Sequence, residues 1–266
     1  MRLGLGIAAG SDPDQLAGLA SEAEALGYSS IWSNDSPAGD GLSQLWAWAQ
    51  ASTHIRLCVG VLALDRHLPE DIAERAHELE LPLERLLIGI GAGFTDAPLR
   101  VVREGVTSLR TRLPGARVAV AAMGPQMCRL AGEVGDAVLL NWMTPERAVW
   151  ARSLVEEGAR AGGRQPADVP VYGYVRVAMG SDAVDRLARE VSMYLQMPHY
   201  KRHFDAMGGA PTGVGVATDP VGVAAAVAHY SALDEPVVRV LSHRSAAAIL
   251  GVARAAIGPA APPDGG

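Results

Sequence analysis

The chain predicts a (β/α)8 TIM barrel of the α/β class, on three observations. Its 266 residues suffice for one such barrel. Short apolar runs alternate with amphipathic helical stretches along the whole chain. Most of the apolar runs are continuous rather than alternating, the pattern of parallel strands covered on the outside by helices. A doubly wound open sheet is the alternative architecture. It is weakened because no GxGxxG turn follows the first strand; Gly4-Leu5-Gly6 lies inside that strand.

The predicted strands are Arg2–Ala8, Ser30–Asn34, Ile55–Leu62, Leu86–Ile90, Arg117–Ala121, Asp136–Leu140, Val171–Ala178 and Pro236–Leu241. The predicted helices are Asp14–Leu26, Gly41–Ala51, Pro69–Leu79, Pro125–Val134, Pro145–Ala161, Asp182–Tyr194, Pro220–Leu233 and Ser245–Ile257. In the first of these, Leu16, Leu19, Ala20, Ala23 and Leu26 share one face, and Gly27 stops the helix. Thr144-Pro145 and Asp219-Pro220 pair a capping residue with proline at the first helical position. Residues 1–258 are expected to form one barrel domain, with an insertion or lid over about 181–218 and a disordered tail over 259–266. Within the insertion, the segment MPHYKRHFDAMGGAPTGVGVATD is expected to be a substrate loop over the barrel top, made flexible by Gly208, Gly209, Gly213 and Gly215.

Composition narrows the function. The net charge is −6, which argues against nucleic acid as a partner. Hydrophobic residues make up 49%, yet no run is long and apolar enough to span a bilayer. MRLGLGIAAG lacks the features of a signal peptide and is read as the first strand. Cys58 and Cys128 have no metal-site spacing and imply no disulfide framework, which points to the cytoplasm. Lys201 is the only lysine, so an anion site must draw on Arg, His or backbone N–H groups.

Val118–Trp142 is the most informative stretch. It reads as strand, tight turn, helix, strand, with Met123-Gly124-Pro125 as the turn. Unpaired backbone N–H groups and the helix dipole meet at that turn, so it suits a phosphate. An ordinary βα turn that binds nothing is the alternative. In a barrel, chemistry gathers at the C-terminal strand ends. Those ends carry Ser33-Asn34-Asp35-Ser36, Asp65-Arg66-His67, Gly89-Ile90-Gly91-Ala92-Gly93, Asn141-Trp142 and Ser242-His243-Arg244. Tyr172, Tyr174 and Arg176 alternate on the seventh strand and either face the site or fill barrel layers. The small residues at the ends of strands three to five leave room for a flat, bulky ligand.

These residues resemble a known family, the luciferase-like flavin and deazaflavin oxidoreductases, and within it the branch using coenzyme F-420 that includes methylene-tetrahydromethanopterin reductase. The resemblance rests on AEALGYSSIWSND, THIRLCVGV followed by Arg66-His67-Leu68-Pro69, LERLLIGIGAG, AAMGPQMCRLAGEVGDAVLLNW with Thr144-Pro145-Glu146, and ATDPVGVAAAVAHY, in that order. It implies that coenzyme F-420 lies with its ring against the strand ends, backed by a non-prolyl cis peptide at Gly60–Val61. It places a phosphate grip at Ala122, Met123, Gly124, Pro125, Gln126 and Met127. It sets Gly91, Ala92 and Gly93 near the ring or its side chain, and Asn34 and Asn141 at the pyrimidine edge or ribityl hydroxyls.

The implied reaction is hydride transfer between the deazaflavin and a small organic substrate. Asp35, His67 and Tyr174 are the candidate proton donors. Arg176 or His243 would steady an anionic oxygen. A homodimer paired through the early helices is also implied. The chain departs from the family in carrying Asp35-Ser36 where many relatives have Asp-His, and in a brief segment after the fourth strand. Two alternatives stay open: an FMN-dependent monooxygenase on the same barrel, and a non-catalytic flavin-binding accessory protein.

Overall fold

The computed structural model describes residues 1–8, 16–35, 39–208, 214–241 and 245–258. Within them the strands are β1 (Gly4–Gly6), β2 (Ser30–Ser33), β3 (Arg56–Ala63), β4 (Leu86–Gly91), β5 (Arg117–Ala122), β6 (Ala137–Asn141), β7 (Val171–Met179), β8 (Gly215–Thr218) and β9 (Glu235–Val240). The helices are α1 (Leu19–Ala25), α2 (Gly41–Ala51), α3 (Pro69–Glu78), α4 (Pro98–Arg112), α5 (Pro125–Val134), α6 (Pro145–Ala161), α7 (Ala183–Leu195), α8 (Pro198–Asp205), α9 (Val223–Ala228) and α10 (Ala246–Ile257).

All strand pairs are parallel. Eight of the strands close a ring in the order β1-β2-β3-β4-β5-β6-β7-β9, with β6 against β7 and β9 against β1. The predicted barrel is therefore the fold, and the open sheet is excluded. β8 lies outside the ring. One edge of β7 pairs with β9 over Tyr172–Val177. Its other edge pairs with β6 over Val171–Tyr174 and then with β8 over Arg176–Met179.

Two apolar regions hold this together. Trp32, Cys58, Leu87, Ala119, Ala137, Leu139, Tyr172, Tyr174 and Val237 fill the barrel interior. A larger layer between strands and helices includes Leu5, Ile31, Val59, Ile88, Val120, Val175 and Val238. Successive side chains of a strand point to opposite faces, so every ring strand except β1, whose inward positions are glycines, feeds both regions. Both cysteines are buried and free, and burial pushes the Cys58 thiol well above its usual range. At the N-terminal end, the Glu235 carboxylate accepts hydrogen bonds from Ser29 and Ser30, and Arg56 donates to the Tyr172 hydroxyl at 2.7 Å.

Three elements depart from expectation. α4 occupies the stretch read as a brief connection. Its buried face is Val102, Gly105, Val106 and Leu109, a helical spacing that Gly105 and the threonines around it obscure. The expected substrate loop instead contains α8 and β8. Pro198 starts α8 at its first turn, and β8 gains its hydrogen bonds from β7. The helix read over 220–233 is confined to Val223–Ala228, because Asp219 caps a turn by accepting from the Gly222 amide. Ser36, Gly209, Gly213, His243, Arg244 and the tail at 259–266 lie outside the described residues. No helix among those described is long and apolar enough to cross a membrane.

Candidate active site at the C-terminal mouth of the barrel

Three layers of side chains point into the barrel, and each strand contributes by alternation. On β9 they are Glu235, Val237 and Arg239; on β7, Tyr172, Tyr174 and Arg176; on β6, Ala137, Leu139 and Asn141. β2 and the residue after it give Ser30, Trp32 and Asn34. The first member of each series sits at the closed end, the second in the apolar middle, the third at the mouth.

The mouth has two unlike walls. From β2 through β9 and β7 to β6 it carries Asn34, Arg239, Arg176 and Asn141. From β3 to β5 it carries Val61, Gly91 and Ala121, which share one face: a side chain added at Gly91 would meet Val61 at 3.4 Å and Ala121 at 3.8 Å. The Gly60–Val61 peptide bond is cis, where the resemblance implied one, and β3 shifts register against β4 there. Tyr174 reaches across the barrel and donates its hydroxyl to the Gly60 carbonyl at 2.9 Å. A Cβ on Gly60 would fall 2.6 Å from that hydroxyl and from Leu139. The small residues thus keep the β3–β5 wall flat.

The turn Met123-Gly124-Pro125 stands at the rim of this wall. Pro125 opens α5, no side chain caps it, and Gly124, Pro125 and Gln126 are exposed. Ala122 is buried beneath, with Met123 and Met127 half-buried. Among the described residues, nothing lies within 4 Å of a Cβ placed on Gly124. The Gln126 and Met127 amides fall in the first turn, where an α-helix supplies no acceptor, so the turn offers donors and space to an anion. Gly93 has a different function. Its φ is +67°, and the Asp65 carboxylate fills the volume of its missing side chain while accepting from the Phe94 amide at 2.9 Å. Ala92 packs on the core.

Of the sequence-predicted proton donors, Asp35 and His67 come together. Asp35 Oδ2 lies 2.9 Å from His67 Nε2 and 3.5 Å from the Arg66 guanidinium. The Asp35 side chain is 10% exposed and that of His67 32%. The pair lines an open cleft of about 780 Å3 that also includes Leu62, Asp71, Ile72 and Arg75. Tyr174 is not with them. It lies in the middle layer with its hydroxyl engaged, and burial pushes its acidity further from neutral.

Arg176 is only 2% exposed. It donates to Asn141 Oδ1 at 2.7 Å, lies 3.5 Å over the Trp142 ring, and faces Glu190 of α7 at 3.7 Å. Its Nε has no hydrogen-bond partner among the described residues. Burial holds its pKa below the usual guanidinium range, and the neighbouring Arg239 adds to that fall. Asn141 passes the contact on, donating to the Tyr200 hydroxyl at 3.1 Å. Tyr194 stacks edge-on against both Trp142 and Tyr200, and the His199 ring meets Phe94. α7 and α8 are thereby tied to the ends of β4, β6 and β7.

Arg239, Tyr194 and Tyr200 were not singled out from sequence. For Arg239 a signal existed: it is the one charged residue in the run PVVRV, in phase with Glu235 two positions before Val237.

Comparison with known proteins agrees with the barrel fold. The model of the luciferase-like monooxygenase family matches residues 1–114 and 98–215. A curated 5,10-methylenetetrahydromethanopterin reductase from Methanolobus tindarius is 27% identical over 209 residues, covering 65% of this chain and 64% of that protein. The chain thus aligns with less than two thirds of that relative's length. The coenzyme F420-dependent tetrahydromethanopterin reductase of Methanopyrus kandleri superposes with a TM-score of 0.76 at 18% identity, covering 96% and 98% of the two chains. An FMN-bound type II Baeyer–Villiger monooxygenase from Pseudomonas putida gives 0.68 at 15% identity, covering 94% of each. With the family model matching most of the sequence, the chain belongs to the luciferase-like monooxygenase family.

Proposed function

We propose that this protein is an oxidoreductase that moves a hydride between bound coenzyme F-420 and a small organic substrate. The two-walled mouth carries the reading. A flat wall of Gly60, Val61, Gly91 and Ala121 faces a polar wall, and an open helix N-terminus stands at the flat wall's rim. The residues fit a deazaflavin: the wall accepts a planar ring, and the amides of Gln126 and Met127 with the space at Gly124 accept its phosphate. When bound, the deazaflavin supplies the hydride-accepting carbon; the protein supplies position and electrostatics.

The Asp35–His67 pair is the proposed proton source. The carboxylate lies 2.9 Å from the imidazole and orients it, as a hydrogen-bonded carboxylate does for a general acid. His67 then occupies the task that many relatives give to the residue at position 36. Tyr174 is withdrawn from that list of donors, because it holds the Gly60 carbonyl instead. Asn34 remains a proposed contact for the ring's polar edge; its Oδ1 accepts from Arg239 at 3.4 Å. Asn141 has both ends of its amide engaged, so its proposed contact with the coenzyme requires release of Tyr200.

FMN in place of F-420 is the second reading, favoured by the likeness to a barrel solved with FMN. Purification from a host making both coenzymes separates them. The absorption maximum of the retained ligand names it, and oxygen consumption by the reduced protein tests for an oxygenase. A protein emerging without either, and binding neither on titration, would overturn the proposal and favour an accessory role. The homodimer also remains a proposal, with Trp46 half-exposed on α2 as support; sedimentation at micromolar concentration tests it.

A further inference from the structure

Arg176 and Arg239 are paired Cα to Cα in the register of β7 and β9, and both project into the mouth. Like charges directly opposite in a sheet are unfavourable, and burying guanidinium groups costs more unless each is matched. Arg176 is matched, by Asn141, the Trp142 face and Glu190. Arg239 is not. Among the described residues it reaches only the Val240 carbonyl at 3.5 Å and Asn34 at 3.4 Å, both neutral and both long. Its stem crosses Gly6 of β1, where an added Cβ would lie 3.1 Å from Arg239 Cδ. Glycine at that position makes room for the arginine. Folding alone does not call for it, since Val237 in the layer below satisfies the same strand with an apolar side chain.

The coenzyme's own acid does not account for the charge. The turn suited to it follows β5, three strands round the ring from β9. Two guanidinium groups facing one opening match a planar, two-oxygen anion, because each presents a rigid fork of donors.

We infer that Arg239, with Arg176 beside it, binds the carboxylate of the substrate, so that the molecule reduced or oxidised here is a small organic acid. This rests on the proposed function for which wall the coenzyme takes. The test uses coenzyme-loaded native protein and two variants, Arg239→Gln and Arg239→Lys. Each is titrated with aliphatic and aromatic carboxylates of two to ten carbons and with their methyl esters, followed by ligand-observed NMR. Native protein is expected to bind at least one acid ten-fold or more tightly than its ester. Arg239→Gln is expected to abolish that preference, and Arg239→Lys to keep part of it, with deazaflavin affinity unchanged in both. Equal binding of acids and esters by native protein overturns the inference. So does a preference that survives in Arg239→Gln, or a loss of deazaflavin affinity in that variant. Should native protein fail to take up deazaflavin, the proposed function fails by itself, and the acid–ester comparison on the protein alone still decides the role of Arg239.

Discussion

Gly124→Asp separates binding from folding at the proposed phosphate site. Gly124 is the N-cap of α5 with φ −95° and ψ 163°, ordinary extended backbone open to any residue. A Cβ there meets nothing within 4 Å among the described residues. Aspartate is a preferred N-cap and complements the helix dipole, so the variant should gain from a few tenths to about 1 kcal/mol in stability. The same carboxylate enters the space assigned to phosphate. Two unit negative charges ~5 Å apart at an effective dielectric of ~20 repel by about 3 kcal/mol, a roughly 150-fold loss of affinity. The assay pairs a thermal melt with titration of deazaflavin fluorescence. The expected result is an equal or higher melting temperature with coenzyme binding weakened at least a hundred-fold, while Gly124→Ala leaves both near native. Unchanged affinity in Gly124→Asp would refute the location of the phosphate.

Other substitutions test the surrounding structure. Tyr174→Phe leaves the buried Gly60 carbonyl without its donor; it should cost about 1–3 kcal/mol, lowering the melting temperature by roughly 2–4 °C per kcal/mol. A native melting temperature with lost turnover would instead make Tyr174 a proton donor. Gly158→Ala should destabilise by about 1–3 kcal/mol or more despite alanine's better helix propensity. Its Cβ would lie 1.9 Å from the Arg129 carbonyl where α5 crosses α6, and chemical denaturation measures the loss. Glu24 accepts from the amides of Thr53, His54 and Ile55 and from the Thr53 hydroxyl. Burial pushes its pKa up, and those four bonds outweigh it to hold the group at about 2, against an ordinary 4.5. The depressed value means that the carboxylate stabilises the fold above pH 4.5 and loses that contribution as pH falls towards 2. Glu24→Gln should therefore cost about 1 kcal/mol at pH 7, after allowance for solvent screening, with the gap closing near pH 2–3 in urea titrations.

The barrel was legible because its strands are apolar on both faces and its helices carry plain stop and start residues, such as Gly27 and Thr144-Pro145. The same periodicity failed where chemistry is mixed. α4 interleaves Arg, Thr and Gly with its four buried positions, and β8 has too few residues to show a pattern before it pairs with β7. At the site, the turn at Gly124 and the strand-end glycines were visible because backbone geometry restricts residue type. The joining of Asp35 to His67 was not, since 32 positions separate them and only the meeting of β2 and β3 brings them close. Nor could sequence tell that Tyr174 spends its hydroxyl on Gly60, or that Arg176 is enclosed by aromatic rings.

The divided edge of β7 has a mechanical consequence. Because β8 takes over that edge where β6 leaves off, the segment bearing α7, α8 and β8 is stitched into the upper rim as a replaceable panel. The opposite half of the rim, which would cradle the coenzyme, shares no strand with it. Exchanging the panel would therefore reshape the space above the mouth with few changes to the strands beneath it, the adjustments falling at its side-chain ties to Phe94 and Asn141.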